Sequence, residues 1–399
     1  MTAVITPHIA QQFTSDVESR LVSLRRAIHQ HPELSFRETE TARRLEEALR
    51  ALGVDRVERV ADTGVVARLR GRRRDAPIVA LRGDIDALPI QEATGLPFAS
   101  SVQGVMHACG HDVHATWAVG AAALLLATPA EGDVVVVLQP AEETGQGALR
   151  ILESGALDDI AAIFGGHVDR RFEVGQVVAD EGPLAASADM FEIEIVGSGA
   201  HAARPHESRD PIVAAAAVVT ALQTIVARRL NPATPGVVTI GTIHAGSAPN
   251  VIPERATLSG TVRAVEPLSR ELLLGEVARM AREVASGYGV EARVVLDRGT
   301  PPIVNPAGAT AWARQAAAAI VGEQNVVPLG FLNLAGEDFA HYMERIPGCF
   351  LRIGAREPGG SIIPAHASTF YPAEESVFVG AAVLAECARV ASAALASTK

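Results

Sequence analysis

Between residues 65 and 180 one pattern recurs. A short, nearly unbroken apolar run ends at, or just before, an ionisable group. The runs are VVARLR (65–70), IVALRGD (78–84), VVVVLQP (134–140), AAIFGGH (161–167) and QVVAD (176–180). They do not alternate between apolar and polar side chains, so strands made from them need cover on both faces. Helical stretches at 112–127 and 146–153 separate them, and apolar strands alternating with helices give an α/β fold with a mostly parallel sheet between helical layers. Residues 13–52 also read as helical, with Val17, Leu21, Leu24, Leu45 and Leu49 at helical spacing. HQHPELSF (29–36) interrupts them at Pro32.

The texture changes near residue 185. MFEIEIVGS (190–198) alternates apolar with polar residues, as a strand with one wet face does. A helix (210–229), strands at 236–245 and 255–264, a helix (268–286) and a strand at 290–296 follow. This β-α-β-β-α-β order is ferredoxin-like. After GTPPIVNP the first texture returns, with helices near 308–321 and 374–395. The expectation is a discontinuous larger domain, 1–184 and 297–399, carrying an inserted α+β domain at 185–296.

Bulk properties narrow the function classes. A net charge of -11 argues against nucleic acid and anionic membranes as partners. It also means that an anionic substrate would need local cationic groups. The N-terminus lacks a secretory pattern. The apolar run at 118–130 falls short of the ~20 residues of a membrane span. Three cysteines, widely separated, make no disulfide framework. A cytoplasmic protein is expected.

The chemistry concentrates at strand ends, where open α/β sheets build their sites. MHACGHDVHA (106–115) places one cysteine and three histidines within eight positions. On a helix Cys109 and His111 would point apart, but in a loop entering a helix at Asp112 they can converge. A thiolate with an imidazole suits a borderline-soft ion such as zinc. In QPAEETGQGA (139–148) two carboxylates follow a core strand, which costs desolvation unless a cation or a proton compensates. The reading assigns Glu143 to the metal and Glu142 to general-base work on a metal-bound water; an acidic helix N-terminus is the plainer alternative. FGGHV ends a strand in His167, and LRGDIDALPI offers Asp84 and Asp86, either of which could orient a ligand imidazole through a hydrogen bond. His114 could face the same cavity in that supporting role. His366 sits alone in a loop, and His29 and His31 read as packing or capping groups.

Taken in order, HQHPELSF, LRGDIDALPI, MHACGHDVHAT, LQPAEETGQGA, GGHV, GAHAARPHESRDPI, GSAPNVIPE, GTVRA and AGEDFAHY resemble the metal-dependent N-acyl-amino-acid amidohydrolases. These are aminoacylase- and carboxypeptidase-like metallopeptidases, and the match is to the branch of hippurate hydrolase and indole-acetyl-amino-acid hydrolases. The resemblance covers essentially the whole chain. It implies five metal ligands, Cys109, His111, Glu143, His167 and His366, around two divalent ions (Zn, Mn, Co or Ni), with one occupied site as the alternative. It implies Glu142 as general acid/base and a homodimer or higher oligomer formed through a lid and dimerisation domain. His201 is then expected to stabilise the oxyanion, probing an active site of a partner subunit. Asn250 and Arg263 resemble groups that bind the substrate carboxylate.

The sequence departs from the family pattern at Ala365, before the last ligand, and at Gly83, where alanine is usual and the change is expected to be harmless. The implied reaction splits the amide of an N-acyl amino acid into a carboxylic acid and a free amino acid. A dipeptidase or carboxypeptidase with the same metal chemistry is the rival within enzymes. A catalytically silent metal-loaded binding protein is the rival outside them.

Overall fold

The computed structural model describes residues 7–397. The chain divides into two compact units. One runs to Gly182 and resumes over Asn305–Phe331 and from Asp338 onward; the other comprises Pro183–Val304 and Leu332–Glu337. The division lies beyond the expected 296/297 boundary because the last strand of the second unit runs on to Thr300. The return of 332–337 to that unit carries no local sequence signal.

The first unit is built on a seven-stranded sheet. Its order is Arg56–Val60, Gly64–Leu69, Val134–Gln139, Ile78–Asp84, Ile160–Glu173, Gly348–Arg356, Val177–Val178. The strands from Val134–Gln139 to Gly348–Arg356 run parallel, and the margins are antiparallel. Two features depart from the sequence expectation. Gly348–Arg356 is a buried inner strand that the reading missed, because Arg352 breaks its apolar run. The strand Ile160–Glu173 continues past His167, which therefore lies within it, opposite Arg352, rather than at its end.

Helices cover this sheet. Ser376–Ser397 packs against His111–Ala127 and Ala307–Val321. Glycines allow the close crossing: a Cβ on Gly380 would stand 2.2 Å from the Trp117 ring, and one on Gly120 would stand 2.8 Å from Ala381. Two helices, Pro211–Arg228 and Ser376–Ser397, are longer apolar segments than the 118–130 run and could cross a bilayer by length and composition alone. Polar and charged residues punctuate both, so neither forms an unbroken apolar run. Ser376–Ser397 is largely buried in the core of its own unit.

The second unit is an antiparallel sheet in the order Gly236–Ala245, Arg255–Ala264, Ala188–Val196, Glu291–Thr300. Phe191, Ile193, Ile195, Leu258 and Val262 turn from it toward the helices Pro211–Arg228 and Pro267–Gly287. The alternation seen in 190–198 is that of a sheet with helices on one face.

Candidate metal centre

Cys109 and His111 converge because of the residue between them. Gly110 has φ 95°, and a Cβ there would meet Val168 at 2.4 Å. Only glycine combines this left-handed turn with so close a neighbour. His111 then opens the His111–Ala127 helix. The two carboxylates emerge by a different device. Ala141, at φ 53°, turns the chain sharply after the Val134–Gln139 strand, and its N–H donates to the buried Glu38 carboxylate at 2.9 Å. Glu142 and Glu143 follow on a single 3₁₀ turn.

The side chains assemble as two trios that share Cys109. Cys109, His111 and His167 form one, and Cys109, Glu143 and His366 the other; in each, the donor atoms lie within 4.8 Å of one another. Cys109 Sγ is 3.1 Å from His167 Nε2, and Glu143 Oε1 is 3.4 Å from His366 Nε2. His111 Nε2 lies 3.9 Å from both Glu142 Oε2 and Glu143 Oε1.

Hydrogen bonds aim the ring nitrogens. His111 Nδ1 donates to Asp86, whose Oδ1 and carbonyl oxygen each lie at 3.0 Å. His167 Nδ1 donates to the Val168 carbonyl at 2.7 Å. Each ring thus turns its Nε2 lone pair into the cluster, as metal-binding imidazoles do. His111 Nε2 and Glu143 Oε1 are buried without a hydrogen-bond partner. Atoms of this kind are costly unless a ligand completes them. Burial pushes the Cys109 thiol up to about 12, with Glu143 adding to the rise. A thiolate at this place therefore calls for a cation. The donor set of one sulfur, three imidazoles and a carboxylate fits a pair of divalent ions.

The expected orienting residues separate in role. Besides the His111 Nδ1–H, Asp86 accepts from Ser35 Oγ at 2.7 Å and the Glu143 N–H at 3.1 Å, so one carboxylate fixes two members of the cluster. Asp84 does not orient His111 through Nδ1. It accepts from His114 Nδ1 at 2.7 Å and from the buried Arg82. Burial alone would raise the Asp84 pKa; Arg82 and the neighbouring imidazoles outweigh it and hold it well below the usual range. His114 has no lone pair left for an ion, since its Nε2 accepts the Val168 N–H at 3.0 Å. Its ring stacks on Trp117 at 4.4 Å between centroids.

Gly83 sits where this chain leaves no room for a side chain. A Cβ there would lie 2.3 Å from the His114 carbonyl oxygen, so strand and helix approach to a distance that alanine would not allow. His29 bridges Asp112 and Glu92 in the core, and His31 pairs with Ser101 at the surface.

Sequence reasoning assigned no role to Asp338, although it lies in the quoted AGEDFAHY. It accepts from Arg82 (2.9 Å), Gln139 (2.9 Å) and the Ala148 N–H (2.9 Å), and its own N–H donates to Glu142 Oε1 at 3.3 Å. Glu38 and Ser35 belong to the HPELSF region and were also passed over. Their partners are distant in sequence, and spacing carries no sign of them.

His201, Asn250 and Arg263 lie in the second unit. A two-stranded ribbon pairs Ala200–His201 with Val251–Ile252, and the Asn250 carbonyl accepts the Ala202 N–H at 3.1 Å. His201 is exposed, and its Nδ1 accepts the Ala203 N–H at 3.1 Å, leaving Nε2 as the protonated, donating nitrogen. Arg263 is half-buried on the strand Arg255–Ala264.

The family model described as Peptidase family M20/M25/M40 matches residues 80–390. The chain belongs to peptidase family M20/M25/M40. Within it, the N-acetylcysteine deacetylase of Bacillus subtilis is 43% identical over 343 residues, covering 84% of this chain and 88% of that one. The Arabidopsis thaliana IAA-amino acid hydrolase ILR1-like 5 is 39% identical, covering 92% and 86%. Among solved structures, the Bacillus subtilis YXEP protein, a dinuclear metal-binding peptidase of the M20 family, superposes with a TM-score of 0.84 at 37% identity, over 95% of this chain and 99% of that one. The M20 chain described here is accordingly a metal-dependent hydrolase with the mixed α/β architecture of that family.

Proposed function

We propose that the enzyme hydrolyses N-acyl amino acids, releasing a carboxylic acid and a free amino acid. The observation that carries the reading is the pair of Cys109-sharing trios, with His111 Nε2 and Glu143 Oε1 buried at their centre without a hydrogen bond. Cys109, His111 and His167 would hold one divalent ion, and Cys109, Glu143 and His366 the other. Such ions polarise an amide carbonyl and lower the pKa of water from 15.7 toward ~7.

Glu142 is the proton-transfer group in this reading. Its Oε1 is held by the Asp338 N–H, and its Oε2 faces His111 Nε2 at 3.9 Å. That oxygen takes the proton of the attacking water and returns it to the departing amine nitrogen. In this reading His201, with Nε2–H exposed, is the donor offered to the oxyanion in a partner subunit, and Asn250 and Arg263 are the groups for the substrate's free carboxylate. Arg263 supplies the local positive charge that a protein of net charge -11 needs for an anionic substrate. The second unit serves as the lid and dimerisation domain of a homodimer. Three buried free cysteines support a reducing, cytoplasmic setting.

A second reading, a carboxypeptidase, is favoured by the Thermostable carboxypeptidase 1 of Saccharolobus solfataricus, 35% identical over 92% of this chain and 94% of that one. A panel of N-acetyl, N-benzoyl and dipeptide substrates, run with metal analysis, separates the two. Glu142→Gln should lose ~10²–10⁴-fold in kcat with both ions retained. Near-normal turnover in that variant removes the proposed base, and preferred cleavage of free dipeptides removes the acyl reading.

A further inference from the structure

His366 differs from the other members of the cluster in how it is supported. Residues 357–371, which carry it, form neither helix nor strand. Its backbone is left-handed at φ 66°, and its side chain is 52% exposed. An imidazole with little packing, on a strained and irregular segment, keeps its place only if the segment is tied down elsewhere.

Two of the ties are backbone bonds near the histidine: the His366 N–H donates to the Ala108 carbonyl, and the Ser368 carbonyl accepts the Ala93 N–H, both at 2.8 Å. The ends of the segment are held by one side chain. Arg170 is 1% exposed. Its Nη1 donates to Glu357 Oε2 and to the Tyr371 carbonyl, both at 2.8 Å, and its Nη2 donates to the Ser361 carbonyl at 2.9 Å. The guanidinium lies over the Tyr371 ring at 4.4 Å, and the Tyr371 hydroxyl donates to Glu357 Oε1 at 2.7 Å. A planar fork can join these three points of one loop at once, which a lysine ammonium cannot match. Arg170 stands on the strand Ile160–Glu173, which also carries His167. A single strand thus supplies a member of the buried trio and the clamp on the exposed one.

We infer that Arg170 is a positioning residue for the metal centre: by closing both ends of segment 357–371 it sets how tightly the Cys109–Glu143–His366 trio holds its ion, without touching that ion. The inference rests on the reading of the two trios as two ion sites.

The test equilibrates the zinc-loaded full chain against a graded zinc chelator and counts bound zinc. Wild type should give up its ions in two steps, and His366→Ala should lack the weaker one. Arg170→Gln should weaken the weaker step ~10–100-fold, the usual cost of removing a group that orients a ligand, and leave the tighter step within about twofold. Arg170→Lys should not restore it. Glu357→Gln combined with Tyr371→Phe keeps the arginine and removes two of its partners. It should give a smaller shift of the same step, which holds the inference to account should Arg170→Gln not fold. Excess zinc should recover activity in each folded variant of Arg170, Glu357 and Tyr371, in which all five ligands remain. An unchanged weaker step, or equal loss at both steps, overturns the inference while the two-ion reading stands. A wild type that takes up one zinc overturns both.

Discussion

The two trios meet at one sulfur but are built in opposite ways. Cys109, His111 and His167 are drawn from a glycine-pinned turn, a helix start and an inner strand, with Cys109 and His111 buried and His167 partly so. Cys109, Glu143 and His366 combine that same sulfur with a largely buried carboxylate and a half-exposed imidazole on an irregular loop. In the first, the imidazole nitrogens not turned into the cluster are committed to Asp86 and Val168. In the second, accuracy depends on backbone bonds and a distant arginine. If each trio holds an ion as proposed, one fold provides a stiff ion site and an adjustable one side by side, since rigid elements hold ligands more accurately than loops do.

The largest effect is expected at the shared atom. Cys109→Ala should weaken uptake of both ions by more than ~100-fold, since even groups that only orient a ligand cost 10–100-fold. Elemental analysis showing one ion retained at full affinity would break the idea of a common sulfur.

A smaller effect is expected behind the stiff trio. Gly380→Ala would push a methyl group into the Trp117 ring, on which His114 stacks. Overpacking of this kind costs about 1–3 kcal/mol, seen as a lower Tm. If the comparison holds, the loosening reaches the tighter zinc step before the weaker one.

The smallest effect concerns the loop side. Burial would raise the Glu357 pKa, but the hydrogen bonds from Arg170 and Tyr371 outweigh it and lower the value to about 2. A carboxylate depressed in the folded state stabilises fully above its unfolded pKa and loses that contribution as pH falls toward the folded one. Glu357→Gln should therefore flatten the pH dependence of stability between about pH 4.5 and 2, followed by denaturant unfolding. The group is partly exposed, so the change will be modest. No flattening would detach Glu357 from the clamp.

Much of this was legible in the sequence wherever a residue's role follows from its immediate neighbours. Valine runs announced the buried strands, and the Cys-Gly-His spacing announced a turn. The alternation in MFEIEIVGS marked a sheet covered on one face. What escaped depends on partners far along the chain. Arg352 hid an inner strand because a buried arginine breaks the apolar pattern. The supporting role expected of His114 rests on partners that its own segment does not reveal: Asp84 and Val168 occupy both of its nitrogens. Gly83 looked interchangeable with alanine because the His114 carbonyl that forbids a side chain lies on another element. Asp338 and Glu38 carry no sign at all in their own vicinity, since each acts on a turn contributed by a different segment.

The place of Gly348–Arg356 in the sheet has a consequence for biosynthesis. A ribosome delivers Cys109, His111, Glu143 and His167 early, then the whole of 183–304, and only afterwards the strand that flanks His167 and the loop bearing His366. Domains tend to fold as units while the chain emerges, so the second unit can be finished while the first still lacks an inner strand. On the proposed ligand set, the full complement of donors exists only once the loop bearing His366 has been made, late in synthesis.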